Sequence, residues 1–240
     1  IQKAKRQRGE LYAFLELHIE QGSILYQTCI PIGVVTAITG RIALEVSIIG
    51  FANHAGTTPM TNRRDALLSA SRVIQAVNAI ATNEEICRVG TVGMAKVSPN
   101  AENVIPGRVD LRVEFRDVDL GRLHEAVQRL NAICQQLMLD EDFEIKVSEL
   151  GITKSAPMSP GLQKIIGDAA QALDLKTTSL PSGAGHDAQS IAEISDAGMI
   201  FVPSVDGISH SPNEYTHPEA CANGANVLLN TLLTIDQDGL

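Results

Sequence analysis

A chain of 240 residues with 44% hydrophobic and 20% charged residues has ordinary globular composition and is long enough for one large or two modest domains. Its net charge of −9 excludes nucleic acid and anionic membrane as main partners, since either calls for a basic face. No apolar run reaches the roughly 18 to 20 residues of a membrane span, and the start lacks the order of a signal peptide, so a soluble, cytoplasmic protein is expected. Cys29, Cys87, Cys134 and Cys221 are widely spaced with no CxxC pair, and read as reduced core thiols. Residues 1–8, basic and without an initiator Met, read as the tail of a helix that begins elsewhere.

The first strand is expected over residues 11–19. Its end, Leu15-Glu16-Leu17-His18-Ile19-Glu20-Gln21-Gly22, alternates with period two, which sets Glu16, His18 and Glu20 on one face and Leu15, Leu17 and Ile19 on the other. An imidazole between carboxylates at the mouth of a strand suits a divalent ion, and a half-buried strand with a polar face fits the same pattern. Pro31 and Gly33 punctuate the exit and mark a domain boundary. Residues 41–49 alternate as a strand with one face covered, and a Gly/Pro loop follows over residues 50–59. Ala66, Leu67, Ala70, Val73, Ile74 and Val77 form a helical stripe, which predicts a helix over residues 63–81 capped by Asn62 and Asp65. Strands over residues 88–97 and 108–116 come next, then a helix from Asp119 to about residue 139 and a strand over residues 143–150. This β-α-β-β-α-β order over residues 34–150 predicts an α+β unit, an antiparallel sheet covered on one face by helices.

After Gly151 the pattern changes to helix 160–173, strand 177–180, helix 187–197, apolar strand 199–205 and helix 218–235. Alternating helices and buried strands predict an α/β layer with a mostly parallel sheet. Residues 1–33 and 151–240 are therefore expected to form one domain, with residues 34–150 inserted into it.

Of the 6 histidines, His18, His54, His186 and His210 lie in segments rich in Gly, Pro and small polar residues, where function concentrates. His124 reads as a solvated helix residue and His217 as a helix-start residue. His210 follows the strand 199–205 after a short loop and could meet His18 at one edge of the layer. A hydrolytic zinc centre needs at least three protein donors, and the carboxylates Asp187, Asp206 and Glu214 show no tight His-x-Asp spacing. Other residues read two ways: Arg116 continues an exposed charge ladder with Arg112 and Glu114, Asn103 is ordinary turn chemistry, and Gly183 and Gly185 suit a tight turn into a helix.

The strings LELHIEQG, GFANHAGTTPM with RRDAL behind it, NVIPG followed by a strand ending EFRD, SGAGHDA and SHSPNE occur in that order. Together they resemble the N-carbamoyl-L-amino-acid hydrolase and allantoate amidohydrolase family of dinuclear metallohydrolases, from about residue 9 to the end. The resemblance implies that His18 and His210 are metal ligands and that Gln21, Gly183 and Ala184 contact substrate. It implies that residues 34–150 are a lid and dimerisation domain of a homodimer that presents His54, Asn103 and Arg116, the histidine and the arginine reaching into the other subunit's active site. Arg116 would grip the substrate α-carboxylate with its planar fork, and His54 would polarise the carbonyl oxygen. The implied reaction is metal-dependent hydrolysis of a C–N bond in an N-carbamoyl amino acid, allantoate or 3-ureidopropionate, with two divalent ions among Zn, Mn, Ni and Co. In the family, a His-x-Asp pair, a bridging aspartate and paired glutamates come from a segment that would precede Ile1. This chain is therefore expected to supply only part of the centre and to be inactive alone. The rival readings are an aminoacylase or dipeptidase of the same superfamily and a non-catalytic dimerisation fragment.

Overall fold

A computed structural model describes residues 6–140 and 143–240; of the helix tail expected over residues 1–8, residues 1–5 lie outside the described residues and residues 6–8 are not helical. The chain divides into two compact units, Ile1–Thr39 with Ser155–Leu240, and Gly40–Lys154.

The first unit is built on strands β1 (Phe14–Ile19), β2 (Ile32–Ile38), β9 (Ala156–Pro157), β10 (Thr177–Ser182) and β11 (Ala197–Val202). The sheet runs β1-β11-β2-β10, with β9 against β2. β1 pairs β11 in parallel from Phe14↔Ala197 to Ile19↔Val202, and β10 pairs β2 in parallel. The shorter pairings, β11 with β2 and β2 with β9, are antiparallel, so the sheet is mixed rather than simply parallel.

β2 is an element that the punctuation at Pro31 and Gly33 conceals, and it runs straight through the expected boundary. Gly33 is there because neighbouring strands leave no room for a side chain: a Cβ would lie 2.7 Å from Leu180 Cδ2 and 3.0 Å from Phe201 Cβ. The border between the units therefore falls at Thr39/Gly40, where β2 ends.

Helices cover the sheet. Leu15, Leu17 and Ile19 pack with Ile200 and Val202 against α4 (Pro160–Ala172) and α6 (Pro218–Asp238), while Phe14, Met199 and Phe201 pack on the other side with Leu25 and Ala188. The period-two alternation read in residues 15–19 thus holds: Leu15, Leu17 and Ile19 join one apolar cluster, while Glu16 and His18 alternate to the other face of the sheet. Leu25 belongs to the short helix α1 (Ile24–Thr28) and Ala188 to α5 (Asp187–Ile191), which is shorter than the expected helix because β11 already begins at Ala197.

The second unit carries β3 (Gly40–Ile49), β4 (Asn53–His54), α2 (Ala66–Thr82), β5 (Val89–Ser98), β6 (Val104–Ile105), β7 (Arg108–Asp117), α3 (Leu120–Asp140) and β8 (Glu144–Thr153). Its sheet, ordered β5-β7-β3-β8, is antiparallel throughout. Ile42, Leu44, Val46 and Ile48 alternate inward with Val109, Leu111, Val113 and Phe115, and meet the stripes of α2 and α3 in one cluster. Each fully buried Leu or Ile there contributes about 1.5–3 kcal/mol. Asp65 caps α2 by accepting from Leu67 N at 3.0 Å and Leu68 N at 3.2 Å, while Asn62 ends a 3-10 turn instead. Cys87 and Cys134 are core thiols, but Cys29 and Cys221 are exposed.

Candidate functional site

The end of β1 gathers a cluster of donor side chains. Because β1 alternates, Glu16 and His18 share the face that α5 covers, and the turn between β10 and α5 brings His186 beside them. Ligand atoms of Glu16, His18 and His186 all lie within 4.8 Å of one another. Two imidazoles and one carboxylate are a donor set that suits Zn and its neighbours. The set is close enough for one ion after a small approach, since two donors at about 2.1 Å from a common ion cannot be more than about 4.2 Å apart.

Within this cluster the hydrogen bonds fix which atoms are available. His18 Nδ1 lies 2.8 Å from Ile19 O. A carbonyl only accepts, so Nδ1 carries the proton and Nε2 presents its lone pair, the arrangement that metal-binding imidazoles use. Glu16 Oε2 accepts from Ala188 N at 2.9 Å, and Glu16 Oε1 lies 3.5 Å from His186 Nδ1. His186 Nε2 meets the Ser182 hydroxyl at 2.7 Å. Burial pushes the His186 pKa down to about 4, with the neighbouring His18 adding to the effect and Asp187 opposing it. His186 is therefore neutral at pH 7, and its contact with Glu16 is not an ion pair.

Glu20, expected on the same face, is turned elsewhere. β1 has ended at Ile19, and the Glu20 carboxylate accepts from Ile24 N at 2.9 Å and Leu25 N at 2.8 Å, so it holds the start of α1. Gln21 has a positive φ of 57° and ties β1 to the SHSPNE loop: its backbone N donates to Ser204 Oγ at 3.0 Å and its Nε2 to Ser209 Oγ at 2.9 Å. Glu214 completes the link, accepting from Ser209 Oγ at 3.1 Å and His210 N at 2.6 Å. His210 itself is exposed on this anchored loop and stands outside the three-residue cluster. Gly183 and Ala184 form the turn after β10, where Ser182 Oγ accepts from Ala184 N at 3.1 Å.

In the second unit, β4 pairs with β6 and draws His54 and Asn103 together, Ala55 N donating to Asn103 O at 2.9 Å. Gly56 N donates to His54 Nδ1 at 3.0 Å, so in the neutral ring the proton sits on Nε2, which faces outward as a donor. Arg63 braces the loop by donating to Ala55 O and Thr58 O. Arg116, on β7, donates through Nε to Glu114 Oε1 at 2.6 Å, and Arg41 Nη1 pairs Glu114 Oε2 at 3.2 Å. The charge ladder expected from the sequence is thus present around Arg116. Glu84 pairs with Arg129 at 2.7 Å, His124 is an exposed residue of α3, and His217 stands at the N-cap position of α6.

Glu16 and His186 enter the site through partners far off in the sequence. Period-two spacing exposes Glu16 beside His18, and the glycine-rich turn marks His186 as a loop histidine; only the parallel pairing of β1 with β11 and the short α5 bring the two together.

Residues 1–234 match the profile of Peptidase family M20/M25/M40. The chain is 37% identical over 237 residues to an N-carbamoyl-L-amino-acid amidohydrolase of Paenarthrobacter aurescens, covering 99% of this chain and 58% of that protein. It is 36% identical over 225 residues to the allantoate amidohydrolase of Escherichia coli K12, covering 92% of this chain and 54% of that protein. A crystal structure of a hydantoinase/carbamoylase family amidase from Burkholderia multivorans superposes with a TM-score of 0.89 at 41% identity, covering 93% of this chain and 55% of that one. The chain thus spans about half the length of the relatives it matches.

Proposed function

The chain belongs to the peptidase family M20/M25/M40, and from that premise we propose that it serves a metal-dependent amidohydrolase cleaving the C–N bond of N-carbamoyl amino acids or related ureido compounds. The observation that carries the reading is His18, whose Nε2 lone pair is left available at the end of β1 by the bond from Nδ1 to Ile19 O.

His18 would hold a divalent ion through that atom, with His210 as a second ligand. The chain from Gln21 through Ser209 and Glu214 supports this by anchoring the His210 loop to the end of β1. When bound, the metal supplies a water activated at neutral pH. His54 would donate its Nε2 proton to the carbonyl oxygen where charge develops, and the Gly56 N–H on Nδ1 supports that role by fixing the tautomer. Arg116 would take the substrate carboxylate, Glu114 steadying its guanidinium through Nε. Gln21, Asn103, Gly183 and Ala184 would complete the substrate contacts. For an N-carbamoyl amino acid, one water yields the free amino acid, ammonia and carbon dioxide.

By this reading the chain supplies part of a dinuclear centre. A homodimer formed through Gly40–Lys154 suits the edge strand β5, which exposes Val89 and Met94. Among the described residues no helix is long and apolar enough to cross a membrane, and we assign the protein to the cytoplasm, a reducing compartment that suits its free cysteines.

The test is elemental metal analysis of the purified chain beside an assay of ammonia release, with Mn or Zn added, from N-carbamoyl and N-acetyl amino acids. Bound metal that His18→Ala removes is expected. Turnover of the N-acetyl substrate alone would replace this reading with an aminoacylase. No metal in the wild-type chain would leave the dimerisation fragment as the better account.

A further inference from the structure

The three donors at the end of β1 are not equivalent. Glu16 Oε2 is taken by Ala188 N, and Glu16 Oε1 faces His186 Nδ1 at 3.5 Å. The other nitrogen of His186 is taken by Ser182 Oγ at 2.7 Å, and the His186 side chain is only 1% exposed. His18 is the one member with a ring nitrogen that none of these contacts uses. The His186 ring also stands against the His18 ring, centroids 4.6 Å apart at 74°, and against Phe201 on β11 at 5.6 Å. It thus lies over the β1–β11 pair, where His18 and Phe201 are opposite each other, held by Ser182 at Nε2 and meeting His18 edge to face.

We propose that His186 is a positioning residue that fixes the orientation of the His18 ring, with Ser182 holding His186 in turn and Glu16 set beside its Nδ1. This rests on the reading of His18 as a metal ligand, and it assigns Glu16 and His186 to its support instead of to the ion. An imidazole on a strand end otherwise rotates about its terminal torsion, which is broad and roughly two-fold, and would offer either nitrogen. Edge-to-face packing removes that freedom before an ion arrives, and the Ile19 carbonyl then selects the tautomer. The hydrogen-bonded partner of a metal-binding imidazole, here Ile19 O, is worth about 10–100-fold in metal affinity, and packing that keeps the ring turned toward it protects that share.

The test uses the 240-residue chain, with histidine ¹⁵N spectra recorded without metal and a titration with Zn²⁺ alone. In the wild type, His18 is expected to show one tautomer protonated at Nδ1. His186→Ala should average the two tautomers of His18 and weaken Zn²⁺ binding about 10–100-fold with secondary structure unchanged. His186→Phe, which keeps a ring and removes both nitrogens, should restore the single tautomer and most of the affinity. An unchanged His18 tautomer in His186→Ala overturns the proposal. So does loss of Zn²⁺ in His186→Phe as complete as in His186→Ala, which would make His186 a ligand. A wild-type chain that takes up no Zn²⁺ sinks the metal role of His18, and the tautomer comparison still decides the positioning role. If His186→Ala does not fold, Ser182→Ala makes the same comparison: averaged His18 signals support the positioning role, and unchanged signals refute it.

Discussion

At the scale of single residues, the environment of each histidine decides what it can do. His54 is turned into a donor by one backbone N–H, and His18 into a lone-pair acceptor of cations by one backbone carbonyl. His186 carries a measurable cost with its burial. Its folded-state pKa of about 4 lies below the ordinary value near 6.5, so as the pH falls the unfolded chain takes up the proton first. The stability this confers is complete above pH 6.5 and is lost as the pH falls toward 4, about 3 kcal/mol in all for the metal-free chain. Denaturant unfolding at a series of pH values should show the slope, and His186→Phe should flatten it between pH 6.5 and 4 relative to wild type. An equal slope in both proteins would mean that carboxylates alone produce the acid sensitivity.

Among the elements, close approach matters more than propensity. Gly224 lies in the middle of α6, where Ala would ordinarily favour the helix by about 1 kcal/mol. A Cβ there would stand 2.6 Å from both Leu17 Cδ1 and Val202 Cγ1, the side chains through which β1 and β11 meet the helix. Overpacking of this kind costs about 1–3 kcal/mol, so Gly224→Ala should lower the melting temperature by several degrees instead of raising it. The same contrast explains what the sequence makes legible. The alternation of residues 41–49 and 108–116 and the stripe of α2 announce themselves, because burial on one face leaves a period in the residue types. β2 does not, because its Pro31 and Gly33 look like a break: the glycine answers to Leu180 and Phe201, residues far along the chain. Likewise the motif around His18 can be read from its spacing, while the packing of His186 over His18 and Phe201 depends on which strand lies beside β1.

For the molecule as a whole, each unit has its own core. The cluster formed by β3, β5, β7, β8, α2 and α3 draws all its members from residues 42–147. Residues 40–154 expressed alone should therefore unfold in one cooperative transition and give a dispersed amide spectrum, whereas a non-cooperative melt would show that they lean on the rest of the chain. The sequence places the boundary too early, at Pro31 and Gly33, because the backbone changes units over the single step Thr39-Gly40: Ile38 is still in the first sheet and Gly40 already in the second.

The way the inserted unit joins its host also says how such a chain could have been assembled. Ile38 sits opposite Ala156 where β2 meets β9, and Arg41 sits opposite Thr153 where β3 meets β8. Entry and exit are neighbours on both sides of the junction. Removing the insert would leave two antiparallel strand ends that a tight turn of a few residues can close as a plain hairpin. Such a junction lets a gene gain or lose the whole module in one recombination event, with each side keeping its strand pairing.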